Sequence, residues 1–213
     1  VDGGHLPWDW RSVVPMSNTL NEVDPISASE PSSREGLNFQ RINIVGTSGC
    51  GKSTAGKLIA KKLGYPYVEL DEIQWKPNWT ESTEEELFSN LERSLEGEFW
   101  VLDGNYSRTV PIKWRRVQWV VWLDFPYWLT LYQVISRTIR RSVTKETLWA
   151  GNRESLRKAF FSRDSIIWWC LTNLSKNRRQ YLAAMSDARY RHIRFVRIRS
   201  RKALVAFIES LPE

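Results

Sequence analysis

Gly46-Thr47-Ser48-Gly49-Cys50-Gly51-Lys52-Ser53 is the stretch on which the fold turns. It satisfies G-x-x-x-x-G-K-[ST] at every fixed position. The apolar run Arg41–Val45 precedes it, and Lys52–Leu63, patterned as a helix that stops at Gly64, follows it. A strand, a glycine-rich loop and a helix in that order cradle phosphate. The glycines let successive backbone N–H groups turn inward toward phosphate oxygens, and the helix N-terminus adds positive potential. Gly46, Thr47, Ser48, Gly49, Cys50, Gly51, Lys52, Ser53 and Thr54 are therefore candidate nucleotide-binding residues. Lys52 would reach the β- and γ-phosphates, and the Ser53 hydroxyl would ligate Mg2+. A glycine-rich turn without a ligand is the rival reading, and the complete motif in this setting argues against it.

Outward from the loop, short apolar runs alternate with amphipathic stretches. Strands are predicted at 41–45, 67–70, 99–102, 118–123 and 193–198. Helices are predicted at 52–63, 80–96, about 126–141, 164–185 and 201–211. In the second of these, Ser82 and Glu85 have capping-box spacing and Leu87, Leu91 and Leu95 form an i, i+4 stripe. Residues 142–163 read as a polar, basic segment with helical pieces. Strands alternating with helices predict a three-layer α/β domain built on a five-stranded parallel sheet.

The formal net charge of +7 is unevenly spread. Residues 1–37 form an acidic segment rich in Ser, Pro and Asn, which reads as a flexible tail ahead of a domain at 38–213. A basic body calls for an anionic partner, which nucleotide phosphates supply. The two cysteines, Cys50 and Cys170, read as free thiols of a reducing compartment, so the expected location is cytoplasmic. No apolar run reaches the 18 residues a membrane helix needs, so no membrane role is expected. A monomer or homodimer is expected.

A P-loop site needs a carboxylate on a neighbouring strand to hold Mg2+. Asp71, Asp103 and Asp124 each follow an apolar run and would lie at the carboxyl edge of the sheet, where open α/β folds bind ligands. Asp103 is preferred for the metal and Asp71 for the acceptor side, and Asp124 reads as a strand-end turn. Trp75 and Trp79 flank the acceptor region, where they would stack on a ring or pack in the core.

The P-loop, Leu70-Asp-Glu-Ile-Gln-Trp-Lys-Pro-Asn-Trp79, Leu102-Asp-Gly-Asn-Tyr-Ser-Arg-Thr109 and Arg199-Ser-Arg-Lys202 together resemble the adenylate-kinase-related P-loop proteins often labelled topology modulation proteins. The resemblance implies a nucleoside monophosphate kinase-like fold with an acceptor-binding insertion after the second strand and a lid at about 137–163. It implies ATP and Mg2+ as cofactors, with Ser53 and Asp103 at the metal. Arg108 and Arg153 are implied at the acceptor, Arg137 and Arg141 at the transferring phosphate, and Arg199 and Arg201 beside the base. The spacing of Asp103-Gly-Asn-Tyr-Ser-Arg108 is one residue longer than the adenylate kinase pattern it is similar to.

The expected activity is ATP-dependent phosphoryl transfer to a small-molecule acceptor, catalysed by Lys52, Asp71, Arg108, Arg137 and Arg141. The alternative is an ATP-binding nucleic-acid-associated regulator or polynucleotide kinase. Between Lys176 and Lys202 ten basic residues accompany one acid, with Tyr181, Tyr190 and Phe195 interleaved, a pattern that suits a nucleic-acid backbone.

Overall fold

A computed structural model of the chain describes residues 39–152 and 166–212, with the backbone alone over 166–174. The acidic segment 1–37, Arg153 and the lid residues 153–163 lie outside the described residues.

Five strands form one parallel sheet: β1 (Arg41–Gly46), β2 (Tyr67–Glu69), β5 (Trp100–Asp103), β6 (Trp119–Leu123) and β7 (Arg194–Ile198), in the order β2-β5-β1-β6-β7. Parallel strands covered on both faces read as continuous apolar runs, and β6 (Trp-Val-Val-Trp-Leu) is buried at all five positions. Helices α1 (Lys52–Leu63) and α7 (Arg201–Glu209) cover one face, and Ile42, Ile44, Ile59, Val121 and Ile198 meet beneath them. On the other face Leu87, Leu91, Trp100, Leu102, Trp114 and Trp122 join the sheet to α3 (Glu84–Ser94), α4 (Val110–Arg116) and α6 (Ile166–Ser186). Four of the twelve tryptophans, Trp100, Trp114, Trp119 and Trp122, are core residues at most 4% exposed.

Asn43 breaks the apolar run of β1 yet is fully buried. Its amide donates to the Leu102 and Gly104 carbonyls and its carbonyl accepts from Trp114 Nε1, so the buried polar group is satisfied. It also fastens β1 to the loop that follows β5.

Several boundaries differ from the sequence reading. Between β2 and α3 lie a short helix, α2 (Leu70–Gln74), and a two-stranded hairpin of β3 (Trp75–Lys76) and β4 (Thr80–Glu81). Asp71 therefore sits on α2, two residues beyond its strand. The capping box belongs to Thr83 and Glu86, not Ser82 and Glu85: Thr83 Oγ1 accepts from Glu86 N while Glu86 Oε2 accepts from Thr83 N. Ser82 instead donates to Ile73 O and closes the hairpin. Helix α4 was not foreseen, because only seven residues carry its pattern. Helix α5 (Tyr127–Thr144) extends three residues beyond its predicted end, so Arg137 to Thr144, assigned to the lid, are helical.

Candidate active site

The carboxyl edge of β1, β5 and β2 carries the site. The loop leaves β1 at Gly46, whose φ of +147° and surroundings leave no room for a side chain. A Cβ there would lie 2.7 Å from Cys50 Sγ and 2.7 Å from Leu123 O. Cys50 fills the space under the loop, where burial pushes its thiol pKa up, and its backbone N–H donates to Thr47 O at 3.2 Å. The loop runs into α1, with Lys52 and Ser53 in its first turn.

Lys52 Nζ donates to Thr47 O at 3.3 Å across the loop. Burial works against its charge, but the carboxylates of Asp103 and Asp71 favour it and its pKa is raised, so it is an ammonium. Ser53 Oγ donates to Asp103 Oδ2 at 2.6 Å, and Tyr67 OH donates to the same oxygen at 3.1 Å. Asp103 is 4% exposed, and its Oδ1 is buried with no hydrogen-bond partner. A buried carboxylate oxygen without a donor is costly unless a cation meets it. A hydroxyl and a carboxylate joined at the foot of a phosphate loop are the donor set of a Mg2+ site completed by phosphate oxygens and water. These residues fit the metal. Among the described residues no group of three His, Cys, Asp or Glu side chains offers a denser site.

Asp71 and Arg108 form the other half. Asp71 Oδ1 accepts from Tyr106 OH at 2.8 Å, and Tyr106 in turn hydrogen-bonds Trp75. Burial raises the Asp71 pKa, against the Tyr106 hydrogen bond and the nearby charges of Lys52 and Arg137. Those charges place Asp71 beside the donor half. Arg108 Nη2 donates to Gln74 Oε1 at 2.7 Å and to Glu81 Oε2 at 3.3 Å, and Glu81 also accepts from Gln74 Nε2. Trp75 and Trp79 meet edge to face at 5.5 Å, so they pack on each other.

Of the remaining candidates, Arg137 reaches the loop, its Nη2 donating to Ser48 Oγ at 3.1 Å. Arg141, one turn further along α5, instead pairs with Glu146 at 3.4 Å. Thr54 is exposed on α1. Arg199 and Arg201 follow β7 at the same sheet edge, flanking Ser200, which caps α7 through Ala203 N.

Asp124, read from the sequence as a strand-end turn, is instead the anchor of an ion-pair clamp. It is buried and accepts paired N–H groups from Arg178 on α6 and Arg197 on β7. That clamp consumes two of the basic residues counted toward nucleic acid. Arg189 pairs with Asp187, and Tyr190 and Phe195 pack edge-on against Trp114 with Tyr181 buried nearby. Tyr181 is buried, and Tyr190 and Phe195 are half-buried against the same cluster.

Sequence reasoning missed Tyr67, Gln74, Glu81 and Asn105. Asn105 Nδ2 donates to Gly46 O at 3.1 Å and ties the post-β5 loop to the phosphate loop. Asn105 lies inside the quoted Asp103–Thr109 stretch, which was the available signal. Gln74 likewise lies inside the quoted Leu70–Trp79 stretch, whereas Tyr67 and Glu81 carried no signal, because long-range folding alone brings them to Asp103 and Arg108.

Parts of the chain are similar to known proteins. Residues 48–95, from the phosphate loop through α3, match the model of the shikimate kinase family. The shikimate kinase of Synechococcus sp. (strain RCC307) is 35% identical over 116 residues, 48% of this chain and 59% of that protein. A Thermococcus gammatolerans protein, named provisionally as an adenylate kinase, is 40% identical over 73 residues, 31% of this chain and 41% of that protein. The chain is a relative of the P-loop kinases. It spans 41% and 59% of the length of these two relatives. Among solved structures, the shikimate kinase from Acinetobacter baumannii in complex with shikimate has a TM-score of 0.49 at 16% identity, over 80% of this chain and 89% of that one. Among the described residues no helix is long and apolar enough to cross a membrane.

Proposed function

We propose that this P-loop kinase relative transfers the γ-phosphoryl group of ATP to a hydroxyl of a small-molecule acceptor. The observation that carries the reading is the Ser53–Asp103 pair, 2.6 Å apart at the foot of the loop, with Asp103 Oδ1 left for a cation. Phosphoryl transfer needs positioning and charge neutralisation more than covalent chemistry. Backbone amides of Gly46–Ser53 and the Lys52 ammonium would hold the triphosphate. Ser53 and Asp103 would hold Mg2+, which when bound neutralises phosphate charge. Arg137, already at Ser48, is placed to follow the transferring group, and Arg guanidinium contacts phosphate in a planar, bidentate way.

Asp71 decides the acceptor class. A phosphate acceptor needs no base, whereas a hydroxyl must lose its proton as it attacks. Asp71 is buried, held by Tyr106, and electrostatically linked to Lys52 and Arg137, which suits it to orient and deprotonate a hydroxyl. The relatives named shikimate kinases point the same way. Arg108, Trp75 and Trp79 would border the acceptor, with Arg153 and the segment about 137–163 closing over the site to exclude water. Arg199 and Arg201 would lie against the nucleotide base.

The test is a panel of hydroxylated acids, sugars, nucleosides, nucleoside monophosphates and oligonucleotides incubated with radiolabelled ATP and Mg2+. Labelled product from a hydroxylated small molecule, lost in Lys52→Ala and Asp71→Asn, is expected. Transfer to monophosphates that survives Asp71→Asn would overturn the hydroxyl reading. Oligonucleotide binding with a steep salt dependence and no transfer would overturn the kinase reading.

A further inference from the structure

Lys113 stands outside every motif in the sequence, yet it is 1% exposed in α4, behind the loop that carries Asp103. Its amine donates to Gly104 O at 3.2 Å and to Tyr106 O at 3.3 Å. Neither carbonyl depends on it. Gly104 O also accepts from Asn43 Nδ2 at 3.1 Å, and Tyr106 O from Thr109 N at 3.2 Å and Thr109 Oγ1 at 2.8 Å. Burying a lysine amine is costly, and methionine would fill the same volume without that cost. Burial lowers the Lys113 pKa to about 7, opposed by the charge of Asp103. The residue therefore does something that filling space and satisfying carbonyls do not explain.

What it does is bridge. Gly104 follows Asp103, the carboxylate with one oxygen aimed nowhere in the protein. Tyr106 carries the phenol that holds Asp71. One amine thus grips both ends of the segment that separates the metal carboxylate from the residue that aims the acceptor carboxylate. Asn105, between the two, is bonded to the phosphate loop at Gly46. Residues that support a metal ligand from behind are worth about 10- to 100-fold in metal affinity.

We infer that Lys113 is a positioning residue: from beneath the Gly104–Tyr106 loop it sets Asp103 for Mg2+ and Tyr106 for Asp71. The inference rests on the reading of Asp103 as the metal carboxylate.

The experiment is calorimetric titration of ADP, with and without Mg2+, into the full chain and its Lys113→Met variant, alongside thermal unfolding. In the wild type Mg2+ tightens ADP binding. In Lys113→Met, metal-free ADP affinity should stay within about twofold and the unfolding midpoint should hold or rise, because the phosphate loop keeps its own contacts. The Mg2+-dependent gain should fall by about tenfold. A wild-type gain retained in Lys113→Met overturns the inference and leaves the metal reading standing. Equal loss of metal-free and metal-dependent binding assigns Lys113 to general structure and also overturns it. If Lys113→Met does not fold, Lys113→Gln is judged by the same criteria, and failure of both to fold counts against the inference. A wild type whose ADP affinity ignores Mg2+ overturns the metal reading itself.

Discussion

Gly49→Ala is a sharp probe of the contact between the phosphate loop and α5. Gly49 has a φ of +82°, and a Cβ built there would lie 2.2 Å from Val134 Cγ2, 3.2 Å from Val134 N and 3.3 Å from Val134 Cα. Two costs add. A non-glycine residue in the left-handed region costs about 1–2 kcal/mol. Forcing a methyl into a packed contact costs about 1–3 kcal/mol more. The expected destabilisation is therefore about 2–5 kcal/mol, small enough for a domain of ordinary stability to remain folded. Arg137 lies one turn beyond Val134 and holds Ser48, so pushing α5 away also disturbs the phosphate end of the site. ADP affinity should fall together with stability. Val134→Ala removes the 2.2 Å contact but not the backbone approach, so it should rescue Gly49→Ala in part. Urea unfolding of the two single variants and the double variant closes the cycle, with an expected favourable coupling of at least about 1 kcal/mol. A Gly49→Ala variant within about 0.5 kcal/mol of wild type, or a coupling of zero, would refute the argued packing of loop on helix.

Further outcomes are expected. Lys52→Ala should lower turnover by about a thousandfold or more while circular dichroism and the unfolding midpoint stay unchanged, since its partners are loop groups and not core. Turnover should fall with decreasing pH as Asp71 protonates, and Tyr106→Phe, which removes the hydrogen bond favouring the carboxylate, should move that acid limb to higher pH. Because folding raises the Asp71 pKa, its favourable contribution to stability exists below the unfolded pKa and is lost as pH rises through the folded one, so Asp71→Asn should be inactive yet more stable at neutral pH. Lys113 has the opposite sense: between about 7 and its unfolded pKa the unfolded chain binds the extra proton, so stability should rise with pH by up to about 1.4 kcal/mol per unit, a slope that Lys113→Met should flatten in urea titrations. Asp124→Asn should cost about 3 kcal/mol in urea unfolding, below the top of the range for buried pairs because the Arg178 side chain is 41% exposed.

The donor half of the site was legible because it is local. Gly46 to Ser53 are contiguous, and backbone geometry dictates glycine, lysine and serine at fixed spacing whatever surrounds them. The alternating strands and helices also followed from pattern alone, since a two-sided sheet demands continuous apolar runs such as Trp119–Leu123. Asp103 could be nominated from its place at the end of such a run, but its pairing with Ser53 spans 50 residues and is a property of strand order. The sheet order sets β5 beside β1, and that adjacency brings the carboxylate to the loop.

The acceptor half was decided by tertiary structure. Tyr67, Glu81 and Lys113 carry no local signature, because each acts through a partner fixed by packing and not by spacing. Arg137 and Arg141 look alike in sequence, one turn apart on the same helix. Packing of α5 against the loop delivers Arg137 to Ser48 and leaves Arg141 to Glu146. In the basic C-terminal stretch, likewise, folding turned Arg178 and Arg197 onto Asp124 and Tyr190 and Phe195 onto Trp114. Sequence nominated the phosphate loop, since a backbone loop needs only its own residues. Which side chains would face an acceptor was left to the fold, since that depends on how distant segments meet.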